Sequence, residues 1–96
     1  QKLSEAGIII ILAEVDSGNG QLVGSPDAIV RGLTTAYDIK RLNSRLMQDF
    51  HKALNPRKAR VTNWIYIRKL IGEVAERRIY KDLRRRPLVL PVVIEV

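Results

Sequence analysis

The stretch "GIIIILAEVD", Gly7 to Asp16, constrains this chain more than any other. Four consecutive isoleucines are stiff at χ1 and favour a pleated backbone. The run is too short and too uniformly apolar for an amphipathic helix. It therefore reads as a strand buried on both faces, at the centre of a sheet. Asn19-Gly20 follows, a pair that tolerates positive φ at both turn positions, so the chain is expected to return antiparallel through Gln21 to Gly24. In "GSPDAIVRGLTT", Pro26 and Gly32 interrupt the apolar pattern, and the segment reads as an ordered loop or an interrupted edge strand.

Two helices come next. Asp38 is placed to cap the first, whose apolar residues Ile39, Leu42, Leu46, Met47, Phe50 and Leu54 recur at helical spacing. That helix ends before Asn55-Pro56, because proline disfavours helical geometry in the residue preceding it. Thr62 or Asn63 caps the second, in which Trp64, Ile67, Ile71, Val74 and Ala75 form one face with Leu70 at its border. Gly72 within it costs about 0.5–1 kcal/mol relative to alanine, which points to close packing against a neighbour.

The chain closes with "RRRPLVLPVVIEV". Pro91 has no backbone donor, so the terminal strand belongs at a sheet edge, yet nearly every side chain on it is apolar. The element order β-β-α-α-β gives an α+β fold: a three-stranded mixed sheet with the first strand central and two α-helices packed on one face. The other face then has no cover within this chain, and an apolar face of that kind calls for a partner. Strand alternation turns one set outward, either Leu88, Leu90, Val92 and Ile94 or the alternates Val89, Val93 and Val96. The first set is the candidate interface.

Composition bounds the function. The 96 residues allow one core, and an apolar share of 46% is ordinary for a globular domain. The chain has no cysteine, which excludes disulfide staples and thiolate metal sites and fits a reducing cytoplasm. The longest apolar run falls far short of the roughly 20 residues of a membrane span, and no signal peptide precedes it. A soluble, cytoplasmic domain with no membrane partner is expected. The formal charge of +7 is unevenly spread: residues 1–36 carry net −2 and residues 37–96 carry net +9. Such a field favours anionic partners, nucleic acid first.

Catalytic chemistry is absent from the pattern. His51 is the only histidine and has no companion at metal-ligand spacing. No phosphate loop, nucleophile elbow or paired-carboxylate motif occurs. No catalytic residue, metal ligand or cofactor is assigned to these residues. Four pairs spaced by four residues, Lys69–Glu73, Glu73–Arg77, Arg78–Asp82 and Arg45–Asp49, are expected to neutralise one another on their helices. That leaves Arg57, Lys58 and Arg60 before the second helix and Arg84, Arg85 and Arg86 after it as candidate RNA-binding residues. Arg84 to Arg86 also complement the helix dipole. Trp64 reads as core, and Tyr66 and Tyr80 as the aromatics open to a base.

Three stretches, "PDAIVRG" at Pro26 to Gly32, "WIYIRKLIGEVAERRIY" from Trp64, and the terminal "RRRPLVLPVVIEV", resemble in that order the small C-terminal domain of ribonuclease J, the bacterial metallo-β-lactamase-type nuclease. The resemblance covers essentially the whole chain, and the terminal motif is its most specific part. It implies that residues 1–96 form a single accessory domain, three strands facing two helices, associated with dimer formation and full activity of a parent enzyme. In that parent, zinc-dependent 5′-to-3′ exonuclease and endonuclease action on RNA belongs to an N-terminal catalytic domain whose motifs are absent here. The partners implied are a second copy, the parent's catalytic domains and, through the basic clusters, RNA. The sequence departs from the family where Val30 replaces a small hydroxyl residue before the Arg-Gly pair, and where Lys40, Arg41 and Arg45 make an often acid-rich first helix basic.

Overall fold

The computed structural model describes residues 7–32, 38–54 and 59–96. Along the chain lie β1 (Ile8–Val15), β2 (Leu22–Arg31), α1 (Ile39–Leu54), α2 (Trp64–Leu83) and β3 (Leu88–Glu95). They form the expected three-stranded mixed sheet, ordered β2-β1-β3, with β2 antiparallel and β3 parallel to the central strand. The expected α+β order and strand directions are those observed.

The alternation of β1 separates its two faces sharply. Ile9, Ile11, Ala13 and Val15 are fully buried against the helices, whereas Ile8, Ile10 and Leu12 on the other side are only half-buried. The expectation that β1 is buried on both faces is thus corrected: one side has no layer over it among the described residues. The helices close the first side with Leu42, Leu46, Phe50 and Leu54 from α1, and with Ile67, Ile71, Val74, Ala75 and Ile79 from α2. α1 lies over β2 and α2 over β3.

Both helices begin as their caps dictate. Asp38 Oδ1 accepts from the Arg41 amide at 3.1 Å, and Asn63 Oδ1 accepts from the Tyr66 amide at 3.1 Å. Each satisfies one of the amides that a helix start leaves without an internal partner. α2 stops where Arg84 adopts a left-handed conformation, φ 57° and ψ 30°, and donates its amide to Tyr80 O at 2.8 Å.

β2 is one strand rather than a loop, and its interruption is a bulge. Leu12 pairs with Asp27 but Glu14 pairs with Val23, so Gly24, Ser25 and Pro26 together oppose Ala13. Gly24 takes φ 68° there, a region open to glycine at no steric cost. The Asp16–Gly20 turn ties distant segments together. Val61 donates to Ser17 O at 2.9 Å, Ala59 to Asn19 O at 3.1 Å, and Ser17 to Val96 O at 3.0 Å.

Both sheet edges are blunted. On β2 the outward Ala28 amide donates to Asn43 Oδ1 of α1 at 3.0 Å. On β3, Leu88 donates to Gly7 O and Val96 to Val15 O, at 3.0 and 3.1 Å. Even-numbered residues therefore point their amides toward β1 and odd-numbered ones point away. Pro91 falls in the odd phase, where its missing donor breaks no bond to β1.

Candidate assembly face and basic clusters

The pairing register sets out the open side of the sheet row by row. Arg31, Ile8 and Leu88 stand side by side; then Ile29, Ile10 and Leu90; then Asp27, Leu12 and Val92; then Val23, Glu14 and Ile94. Leu88, Leu90, Val92 and Ile94 are each 38–42% exposed. Of the alternates, Val89 is buried and Val93 half-buried under α2, while Val96 is exposed beyond the strand. Strands about 4.8 Å apart and a rise of about 3.3 Å per residue make this face roughly 14 by 23 Å. Most of it is aliphatic, and its charges are Arg31 and Asp27 on the β2 margin and Glu14 at the far end of the central strand, with Arg31 at the opposite end from Glu14.

The candidate RNA-binding residues and the helix-pairing arginines Arg45 and Arg78 fall into three groups. Arg57 and Lys58 lie outside the described residues. Arg60, Arg84, Arg85 and Arg86 are exposed, with Arg60 before α2 and the other three after it; the 20 residues of α2 separate them by about 30 Å. The third group is consumed between the helices. Arg78 grips Asp49 with both arms, Nε to Oδ2 at 2.7 Å and Nη2 to Oδ1 at 3.2 Å, and touches Asp82 Oδ1 at 3.5 Å. Arg45 reaches the same Asp82 oxygen at 2.7 Å. The hydrogen bond to Asp49 first, and the fields of both carboxylates, raise the Arg78 pKa above its ordinary value against the opposing effect of burial.

This network corrects three of the four expected helix pairs. Arg78–Asp82 forms, but Arg45 turns to Asp82 of the facing helix instead of Asp49 on its own. Lys69–Glu73 and Glu73–Arg77 are not ion pairs among the described residues. A facing helix can offer a carboxylate at direct hydrogen-bond distance, which sequence spacing within one helix does not show.

The aromatics also sort themselves. Trp64 is half-buried against the core, and Tyr66 is exposed. Tyr80 is half-buried, with the Arg86 guanidinium 4.3 Å and that of Arg84 5.7 Å from its ring centre. Such cation–π stacks hold an arginine plane over an aromatic face. His51 is half-buried on α1. Among the described residues no group of three or more histidine, aspartate or glutamate side chains could hold a metal ion, and no helix is long and apolar enough to cross a membrane.

Comparison with known proteins agrees with the resemblance in the sequence. The family model described as the ribonuclease J C-terminal domain matches residues 1–96. Ribonuclease J2 of Bacillus subtilis (strain 168) is 22% identical over 96 residues, which cover 98% of this chain and 17% of that protein. The chain thus spans about one sixth of the length of that relative.

Proposed function

Because this chain belongs to the ribonuclease J C-terminal domain family, we propose that it is a non-catalytic accessory domain that pairs with a second copy through the open face of its sheet. The observation that carries this is the exposed aliphatic row Leu88, Leu90, Val92 and Ile94 beside half-buried Ile8, Ile10 and Leu12. The face covers roughly 300 Å² with nine of its twelve side chains aliphatic, comparable to the largest patch on a typical soluble domain, which is often functional. The charges of the face are self-complementary. With Arg31 at one end and Asp27 and Glu14 toward the other, a two-fold axis across the strands brings each arginine to the partner's carboxylates. The blunted edges favour this face-to-face mode over strand addition.

The paired domains would hold the catalytic domains of a cytoplasmic ribonuclease J-like RNA-processing and RNA-decay enzyme, whose zinc-dependent cleavage takes place outside these residues. The face is smaller than the roughly 800 Å² each partner buries in a standard interface, so a concentration-dependent dimer is expected. Sedimentation velocity over a range of concentrations tests it. The dimer should vanish in Leu90→Lys/Val92→Asp with helical circular dichroism unchanged. A wild-type monomer at all concentrations, or a dimer that survives the substitutions, overturns the reading.

A second reading, an RNA-binding module, is favoured by the exposure of Arg60 and Arg84 to Arg86, for which no carboxylate partner occurs among the described residues. Strong salt dependence of RNA affinity is its signature.

A further inference from the structure

The sequence directs attention to the two ends of α2, but the folded chain has a basic track across its middle. Asp49 and Asp82 are taken up by Arg78 and Arg45, so they are not free to neutralise the cations around them. Lys52, Arg77, Lys81 and Arg86 are all exposed, and none forms an ion pair among the described residues. They line two adjoining hollows. The first, about 280 Å³, lies between the helices and is bordered by Lys52, Arg77 and Lys81. The second, about 440 Å³, is bordered by Arg77, Tyr80, Lys81 and Arg86. Arg77 and Lys81 border both, so the hollows flank these two side chains and together reach from α1 over α2 to the segment leading into β3. Glu73 and Glu76 also border the second hollow. They oppose anion binding there, and they bound the track on that side.

Four cations along a path, closing on an arginine stacked over a tyrosine, suit a particular ligand. Phosphates spaced along a flexible chain meet successive cations, and a base extends the Tyr80–Arg86 stack, since every base has a π-face. An acidic peptide would use the cations but not the stack. We infer that Lys52, Arg77, Lys81 and Arg86, with Tyr80, form a binding track for single-stranded RNA. This rests on the second reading above and moves its site from the ends of α2 to the helical layer.

The experiment is fluorescence anisotropy of a labelled 12-nucleotide uridine RNA against the chain at about 50 to 200 mM salt. With about 0.7 counterions released per contacted phosphate on a single strand, four contacts weaken wild-type binding about 50-fold over that range, and two contacts only about 7-fold. Arg77→Ala/Lys81→Ala should show the shallower dependence, and Tyr80→Leu should weaken binding at every salt concentration. Arg60→Ala/Arg85→Ala should match wild type. Thermal unfolding of each variant confirms that it is folded. Loss of binding in Arg60→Ala/Arg85→Ala with none in Arg77→Ala/Lys81→Ala overturns the track and leaves the RNA reading standing at the helix ends. No binding by wild type overturns both. Polyglutamate that competes as well as unlabelled RNA, with Tyr80→Leu at wild-type affinity, overturns RNA in favour of an acidic protein partner.

Discussion

Gly72 of α2 lies directly against Pro91 of β3: a Cβ built on Gly72 would stand 3.2 Å from Pro91 Cγ. The absent side chain lets the helix settle onto a strand that carries a ring where other strands carry a chain. The helix loses about 0.5–1 kcal/mol of propensity at this position relative to alanine, and the close approach offsets the loss.

The pair should therefore behave non-additively. In Pro91→Ala, Gly72→Ala is expected to stabilise the fold by about 0.5–1 kcal/mol, whereas in wild type the same change is expected to be near neutral because the ring must shift. Gly72→Val should destabilise by about 1–3 kcal/mol through overpacking. Urea unfolding of the four members of the cycle checks it, and equal effects of Gly72→Ala in both backgrounds would show that the contact is not tight.

Arg84 is the one non-glycine residue with positive φ among those described. Its place just past α2 is where glycine is usually found, since Cβ crowds the backbone there. Arg84→Gly should be more stable than Arg84→Ala by about 1 kcal/mol. Both variants lose the same contact with Tyr80, so the difference in their melting temperatures isolates the backbone.

Arg78 and Asp49 are 22% and 20% exposed, shielded enough for the bidentate pair to matter. A double-mutant cycle with Arg78→Ala and Asp49→Ala is expected to return a coupling of about 1–3 kcal/mol. The sign of its pH dependence follows from the raised Arg78 pKa. Stability from a raised pKa is fully present below the unfolded value and is lost only as pH rises through the folded one. Titration of Arg78 should thus leave the coupling unchanged between about pH 6 and pH 9, which repeating the cycle at both values would test.

Asn43 on α1 accepts from the outward amide of Ala28. Asn43→Leu should cost about 1–3 kcal/mol by leaving a partly buried donor without a partner. It also reopens the β2 edge to strand pairing. Light scattering during prolonged incubation should rise for Asn43→Leu and stay flat for Asn43→Asp, which keeps an acceptor.

Much of the fold was legible in the residues because local chemistry decides it. Asp38 and Asn63 mark helix starts by side-chain geometry alone, and Pro91 confines its strand to an edge by lacking a donor. The basic track was not legible. Glu73 four residues before Arg77 reads as a neutralising pair, and only the packed helices show Arg77 in no ion pair among the described residues while Asp49 and Asp82 are held by Arg78 and Arg45.

The sequence by itself determined the elements and their order, since apolar period, capping residues and breakers act within a few residues of where they stand. The tertiary structure decided which side of β3 is left uncovered among the described residues. Leu88, Leu90, Val92 and Ile94 are as apolar as the alternate set, so composition cannot choose between two phases of period two. Pairing of Val89 with Ile9, and of Pro91 with Ile11, turns the odd-numbered set toward α2, where Gly72 leaves room for the proline ring, and the even-numbered set is left facing out.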